Sequence, residues 1–296
     1  MKVLIIGGAG YIGSHIAQAF IDNQNSVFII DDLSTGHKSL IPPEAVFIEG
    51  DMGEYYFTKH IVQIFNIDTV VITSAYSDVC ESMSEPEKYY ETNVIKLSIC
   101  LRQLLFDSPV EKILFASSAS AMDATHHYGV SKRTMESLLM EYGTACNKSI
   151  IAFRIFNAAG ADPNLRRGEL HNPETHLIPK AIKAALTGNE LVIRGDSVRD
   201  YIHVCDIAQA FVSGASFKKG CFIFGIGTGQ GTRTSEIVRL VEKITGKKIK
   251  KNNIEKRKFE PDHLVFDGSK TFPISVTFSI GEIIKTAMEW EIERNN

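Results

Sequence analysis

Three residues near the middle of the chain, Ser118, Tyr128 and Lys132, have the types and spacing of a proton-transfer site. Tyr128-Gly129-Val130-Ser131-Lys132 places a phenol and an ammonium at i and i+4, on one face if the stretch is helical. An ammonium beside a phenol favours the phenolate and lowers a pKa that begins near 10. A phenol tuned in this way accepts a proton from a hydroxyl near neutral pH. Ser118, preceded by Ser117 at the end of an apolar run, can hold the same substrate oxygen. A tyrosine and lysine at this spacing recur by chance, so the rest of the chain decides what they mean.

The loop Gly7-Gly8-Ala9-Gly10-Tyr11-Ile12-Gly13 supplies that context. It follows an apolar run and opens a helical pattern. Glycines at 7, 10 and 13 let the backbone turn tightly and approach a pyrophosphate, and the helix N-terminus offers N–H groups and a positive dipole end. Asp31 closes the second strand-like run, where an acid hydrogen-bonds the adenosine ribose, and Asp32 beside it can share that role. A carboxylate there repels a 2′-phosphate, so NAD is expected rather than NADP. Asp51 and Met52, after the third strand-like run, are candidates to contact adenine. No metal is expected.

These residues sit in a regular alternation. Strand-like runs are expected at Val3–Ile6, Val27–Ile30, Val46–Glu49, Thr69–Thr73, Lys112–Ala116 and Ile150–Phe156. Helical patterns lie between them at Tyr11–Asn23, Tyr55–Phe65, Tyr89–Phe106 and Tyr128–Ala145. Continuous apolar strands separated by helices imply a parallel sheet covered on both faces, a doubly wound Rossmann α/β fold. After Gly160 the texture changes. Asp162–His176 reads as a loop, followed by a helix at Leu177–Leu186, a strand at Glu190–Ile193, a helix at Val204–Ser213, a strand at Cys221–Gly225 and a helix at Ser235–Ile244. The expected organisation is a NAD-binding Rossmann domain over 1–160 and a smaller C-terminal α/β substrate lobe over 161–296. Parts around 195–225 return to the first domain.

Bulk properties exclude several classes. With 44% hydrophobic and 23% charged residues the chain has material for a large core, and a formal net charge of -3 gives no sign of nucleic-acid binding. The basic run Lys247–Lys258 is interrupted and reads as a solvated surface. Five scattered cysteines without a CxxC pattern fit neither a disulfide framework nor a zinc site, and suit a reducing compartment. No apolar stretch approaches the roughly 18 residues that span a bilayer, and the opening apolar run is too short for a signal peptide. A cytoplasmic protein, with neither membrane nor nucleic acid as a partner, is expected.

Longer strings carry a resemblance. Gly7–His15, Glu81-Ser82-Met83, Tyr89-Tyr90-Glu91-Thr92-Asn93, Phe156–Pro163, His171–Pro179 and Val198–Val204 resemble the extended short-chain dehydrogenase/reductase family, and within it the UDP-galactose (UDP-glucose) 4-epimerases. The resemblance implies NAD-dependent epimerisation at carbon 4 of a UDP-hexose, with Tyr128 as base, Lys132 tuning it and holding the nicotinamide ribose, and Ser118 on the substrate hydroxyl. It places Asn93 among the cofactor contacts. Asn157, His176, Arg199, Arg257 and Glu260 fall on substrate-binding positions, Glu260 where the family usually has aspartate. A planar guanidinium suits a diphosphate. A homodimer is implied through helices around Tyr89–Phe106 and Tyr128–Ala145.

The chain also departs from that pattern. The segment between Ser118 and Tyr128 is short, as are those at 195–199 and 268–280, and Thr73-Ser74 replaces a usual His-Phe pair. The residues after Ser118 are Ala119-Ser120-Ala121, without the acids used by dehydratase and decarboxylase relatives. A 4-epimerase is the leading expectation. The alternatives are another extended nucleotide-sugar epimerase and a non-catalytic NAD-binding protein with trimmed substrate loops.

Overall fold

The computed structural model describes residues 1–106, 108–257 and 260–295 of the 296-residue chain. In chain order its first elements are β1 (Lys2–Ile6), α1 (Tyr11–Asp22), β2 (Ser26–Asp31), β3 (Val46–Glu49), α2 (Phe57–Phe65) and β4 (Thr69–Ile72). There follow α3 (Val79–Ser84), α4 (Pro86–Tyr90), α5 (Leu97–Leu105), β5 (Lys112–Ser118), α6 (His127–Ala145), β6 (Ser149–Ile155) and β7 (Asn157–Ala159). The remainder comprises α7 (Leu177–Thr187), β8 (Glu190–Arg194), β9 (Val198–His203), α8 (Val204–Ala215), β10 (Cys221–Ile226), β11 (Gly231–Arg233), α9 (Thr234–Thr245), β12 (Lys250–Ile254), β13 (His263–Leu264) and α10 (Ile280–Glu293).

The chain divides into two compact units, Met1–Ile155 with Ala208–Gly225, and Phe156–Ile207 with the chain from Ile226 onward. The stretch that rejoins the first unit therefore begins at Ala208, inside α8, while 195–207 stays in the second.

The first unit is built on a seven-stranded sheet of order β10-β6-β5-β4-β1-β2-β3. The pairs from β3 through to β6 are parallel. The strand order reverses direction between β1 and β4, and in such sheets ligands bind beyond the carboxyl ends of the strands at that point. Lys2–Ile6 shows why these runs become strands: after the exposed Lys2, Val3 to Ile6 are all buried, as a strand covered on both faces requires. Leu4, Ile6, Ile30, Val70, Ile72, Ile113 and Phe115 form one core with Leu97, Leu101 and Leu104 of α5 and Met135 and Leu139 of α6. Those leucines are thus internal packing.

The long helix expected over Tyr89–Phe106 is a composite. Pro86 opens α4, and a π-helical turn, Glu91–Lys96, joins α4 to α5. Such turns bulge a helix and often accompany sites. Here the bulge carries Asn93, which is 1% exposed.

In the second unit, β9 is flanked by β7, β11 and β13, and β8 pairs in parallel with β12. The apolar faces of α7, α9 and α10 meet through Ile178, Ile182, Ile237, Val241, Ile283 and Ile284. The basic run is therefore partly a strand, with Lys250 to Asn253 exposed along it, and its last residue, Lys258, lies outside the described residues. The α10 helix was not foreseen, although Ser279 and Glu282 form a reciprocal capping box at its start. No helix among the described residues is long and apolar enough to cross a membrane.

Helix α6 is held to the sheet by a buried ionic group. Glu136, 2% exposed, accepts from the Ser117 hydroxyl at 2.6 Å and from Arg154 at 2.9 and 2.7 Å. Removing one partner of such a group strands the others. Glu136→Ala is expected to lower unfolding stability by roughly 3 kcal/mol, measured by urea denaturation, with Glu136→Gln costing less.

Candidate active site

The glycine loop folds as its composition requires. Gly7 has φ +87, and a Cβ there would lie 2.5 Å from the Ser74 backbone nitrogen, so any side chain is excluded. Gly10 is the N-cap of α1 and supplies no side chain to the helix end. A Cβ built on Gly10 meets only the Gly7 carbonyl oxygen, at 3.4 Å, so this side of the loop is open. Gly13 packs its Cα closely against that carbonyl and the Thr73 hydroxyl. The Thr73 Oγ1 lies 3.0 Å from the carbonyl oxygens of both Ile6 and Gly7, bracing the loop from β4. Tyr11 is buried with its ring edge-on to His15, and Ile12 is half-buried.

Asp31 does more than end β2. Its carboxylate accepts from the Ala9 N–H and the Leu33 N–H, both at 2.9 Å, and so joins the loop to the second strand. Burial pushes its pKa up, against the pull of those two N–H groups. Asp32 is exposed and caps its own turn by accepting from Ser34 N–H. Asp51 accepts from Gly53 N–H at 2.8 Å and from Lys96 Nζ at 2.5 Å. The Met52 side chain is core, 4% exposed, which leaves its backbone for any adenine contact. An open glycine-capped helix end with a buried carboxylate at the neighbouring strand tip fits a dinucleotide with free ribose hydroxyls.

Asn93 is largely committed within the protein. Its Oδ1 accepts from Tyr76 N–H, and its Nδ2 donates to the Tyr76 carbonyl and to Ser131 Oγ, at 2.9, 2.9 and 3.2 Å. Both amide protons are used, so Asn93 serves here to clamp the loop after β4 to α6.

Ser118 ends β5, and the next three residues make a single 3-10 turn, Ala119–Ala121. The short segment then turns back into α6, whose second residue is Tyr128. This brings the Ser118 hydroxyl close enough to Tyr128 to draw its phenol pKa down, while Ser118 Oγ itself accepts from Ser120 N–H at 3.2 Å. The reversal is packed against the helix. Arg133 Nε donates to the Ala121 carbonyl at 2.7 Å and its Nη2 donates to that of Met122. A Cβ on Gly129 would run into the Ser120 carbonyl, so glycine there is a condition of the short loop.

The electrostatics differ from the expected tuning. Burial pushes the Tyr128 phenol up, and the Ser118 hydroxyl pulls only partly against it. Lys132, 4% exposed, donates from Nζ to the Ala116 carbonyl at 2.8 Å and lies 5.9 Å from the Tyr128 ring centre. Burial lowers its pKa to about 7, although Glu136 one turn on opposes this. In the chain by itself burial thus works against charge on both groups.

Sequence reasoning missed His126. It is the N-cap of α6, and its Nδ1 accepts from Gly129 N–H at 3.1 Å. Its ring lies parallel to that of Tyr128, with an interplanar angle of 8° and centroids 6.1 Å apart. Caps are sought among Ser, Thr, Asp and Asn, so a histidine gave no signal.

The second unit carries the remaining candidates. Asn157 lies on β7, and its side chain makes no hydrogen bond among the described residues. Arg199, on β9, uses one N–H on the Val198 carbonyl and forms no ion pair among the described residues. Burial lowers its pKa, with Tyr201, Glu260 and Asp262 opposing. Arg257 and Glu260 pair with each other at 3.0 Å. His176 is the N-cap of α7 but does not cap it through its ring, which is engaged by Glu169.

A doubly wound sheet with a glycine-capped first helix, a strand-end carboxylate and a Ser, Tyr and Lys trio defines a dinucleotide-dependent enzyme fold of the reductase type. A family model described as "NAD dependent epimerase/dehydratase family" matches residues 3–219. The chain belongs to that family. A UDP-glucose 4-epimerase of Lactobacillus helveticus is 34% identical over 320 aligned positions, which take in 98% of this chain and 97% of the relative. That alignment is longer than the 296-residue chain, so the relative has internal segments that are absent here. The crystal structure of UDP-glucose 4-epimerase from Brucella ovis in complex with NAD superposes with a TM-score of 0.91 at 30% identity, covering 97% of each chain. That of the Bifidobacterium longum enzyme with NAD+ and UDP gives 0.93 at 25% identity, covering 100% of this chain and 99% of that one.

Two outcomes test this geometry. Lys132 titrates near 7 in the folded, cofactor-free chain and near its ordinary 10.5 when unfolded. The unfolded chain then binds more protons between those values, so stability should rise from pH 7 towards 10. Lys132→Met should flatten that slope in urea titrations of cofactor-stripped protein. Separately, His126→Ala should cost about 1 kcal/mol of stability and His126→Asp should restore it, as read from thermal unfolding.

Proposed function

We propose that this protein is an NAD-dependent UDP-hexose 4-epimerase that interconverts UDP-galactose and UDP-glucose through a transient 4-keto sugar. The observation that carries this reading is Ser118 set beside Tyr128 with Lys132 one turn on, in a chain whose first helix is capped by glycine. Bound at the glycine loop, NAD supplies the hydride acceptor and donor and, when oxidised, a positive ring. Tyr128 takes the proton of the sugar 4-hydroxyl and later returns it. Ser118 holds that oxygen in line with the phenol. Lys132 exchanges the Ala116 carbonyl for the nicotinamide ribose, and a charged Lys132 then offsets the cost of a buried phenolate. Asp31 holds the adenosine ribose.

On the substrate side, Arg199 offers N–H groups to a diphosphate, and Asn157 an uncommitted amide. Arg257 would give up Glu260 to join the diphosphate, freeing that carboxylate for the uridine ribose. The turn after Ser118 has no carboxyl group, which suits a keto–hydroxyl cycle and not elimination or decarboxylation. The protein acts as a homodimer, in keeping with Ile95, Phe106 and Tyr142, which are exposed at and near α5 and α6.

Purified protein given UDP-galactose without added NAD should form UDP-glucose, followed by coupled oxidation of the product. Tyr128→Phe should lower kcat by at least a hundredfold, general-base contributions being typically 10²–10⁴-fold, with NAD retention unchanged. An inactive wild-type protein that retains NAD would instead support the non-catalytic reading.

A further inference from the structure

Four metal-ligating side chains gather on the loop that leads into α7, among them the candidate substrate residue His176. Glu169, His171, Glu174 and His176 each present one donor atom, and these atoms all lie within 4.8 Å of one another. All four belong to the second unit. His171 Nδ1 is 3.0 Å from Glu169 Oε1, and His176 Nδ1 contacts the same oxygen. Glu174 Oε1 lies 4.0 Å from the Nδ1 of each histidine. The two imidazoles meet edge to face, with centroids 5.2 Å apart.

The surroundings hold this group in place. The Glu169 carbonyl accepts from the Trp290 indole N–H at 3.1 Å, and the indole covers Gly168 so closely that a Cβ there has no room. Glu174 accepts from the His176 backbone N–H at 2.9 Å. The carboxylates are 6% and 12% exposed, and neither pairs with a lysine or arginine among the described residues.

We propose that Glu169, His171, Glu174 and His176 bind one zinc ion and thereby fix the loop 169–176 at the start of α7. Two imidazole nitrogens and two carboxylate oxygens form a donor set suited to four-coordinate Zn²⁺, with bonds of about 2.0–2.2 Å. Ligand atoms around such an ion lie roughly 3.3–3.5 Å apart, so side-chain rotations within the loop close the site. The half-exposed His176 ring gives the ion a way in. Because all four donors come from the protein, the site is of the closed, structural kind.

The test uses the full chain without a polyhistidine tag, dialysed against zinc and then against metal-free buffer. About one zinc per chain should remain by elemental analysis, and Co²⁺ in its place should give the strong visible absorption of a tetrahedral site. The thermal midpoint should rise with added zinc. His171→Gln and Glu174→Gln, each checked for folding by circular dichroism and NAD retention, should bind zinc at least tenfold more weakly and lose the thermal response. Failure of the wild-type protein to retain zinc would overturn the proposal. So would retention at the same affinity in both variants, which would place the ion elsewhere. None of these readouts passes through epimerisation.

Discussion

Lys132 is almost wholly removed from solvent, and among the described residues its ammonium has one hydrogen-bond acceptor, the Ala116 carbonyl of β5. Burying a cation beside a single neutral acceptor is unfavourable, and burial duly draws its pKa down to about 7. Much of the first unit can be understood as the framework that keeps α6 in place despite that cost. The Ser117, Glu136 and Arg154 group fastens the helix one turn further on. Asn93 fastens it from the other side through Ser131. The core contacts of Met135 and Leu139 supply the non-directional remainder. A lysine held in this way is preorganised for a ligand whose hydroxyls and charge would repay its desolvation, and strain of this kind is usual where function competes with stability.

The short loop between β5 and α6 is accommodated by the same helix. A trimmed connection must reverse the chain within a few residues, and it does so by a 3-10 turn laid directly on the first turns of α6. Gly129 leaves the space, Arg133 ties down two carbonyls, and His126 caps the helix end. Ser118 and Tyr128 are thus set by local contacts. The aligned relative carries internal segments with no counterpart here.

Much of this was legible in the sequence. Buried parallel strands read as continuous apolar runs, and β1, β2, β4, β5 and β6 were visible for that reason. The glycine loop and the Ser118, Tyr128 and Lys132 trio were visible because few residue types can do their work. Other features depend on tertiary contacts that spacing does not encode. Asn93 looked like a cofactor residue, yet its amide is taken up by Tyr76 and Ser131, which are distant in sequence. The expected lowering of the Tyr128 pKa by Lys132 rested on helical spacing, whereas burial pushes the phenol up and draws the lysine down. The α10 helix carried a readable Ser279 to Glu282 capping box, but the polar tail around it gave no reason to look.

The string from Val198 to Val204 shows why a family motif cannot be read residue by residue as a site. Within it, Arg199 is half-buried with most of its donors uncommitted. The next residue, Asp200, is fully buried and accepts from Thr228, Gly229 and Phe266 backbone N–H groups, closing the turn after β10 onto β9. His203 stacks on Phe278 with centroids 3.8 Å apart and meets the Thr286 hydroxyl, which locks α10 to the same strand. Burial holds its pKa down at about 4, so it stays neutral and apolar in effect. Within one string, Arg199 thus keeps most of its donors free of partners among the described residues, while Asp200 and His203 are occupied in fastening the strand.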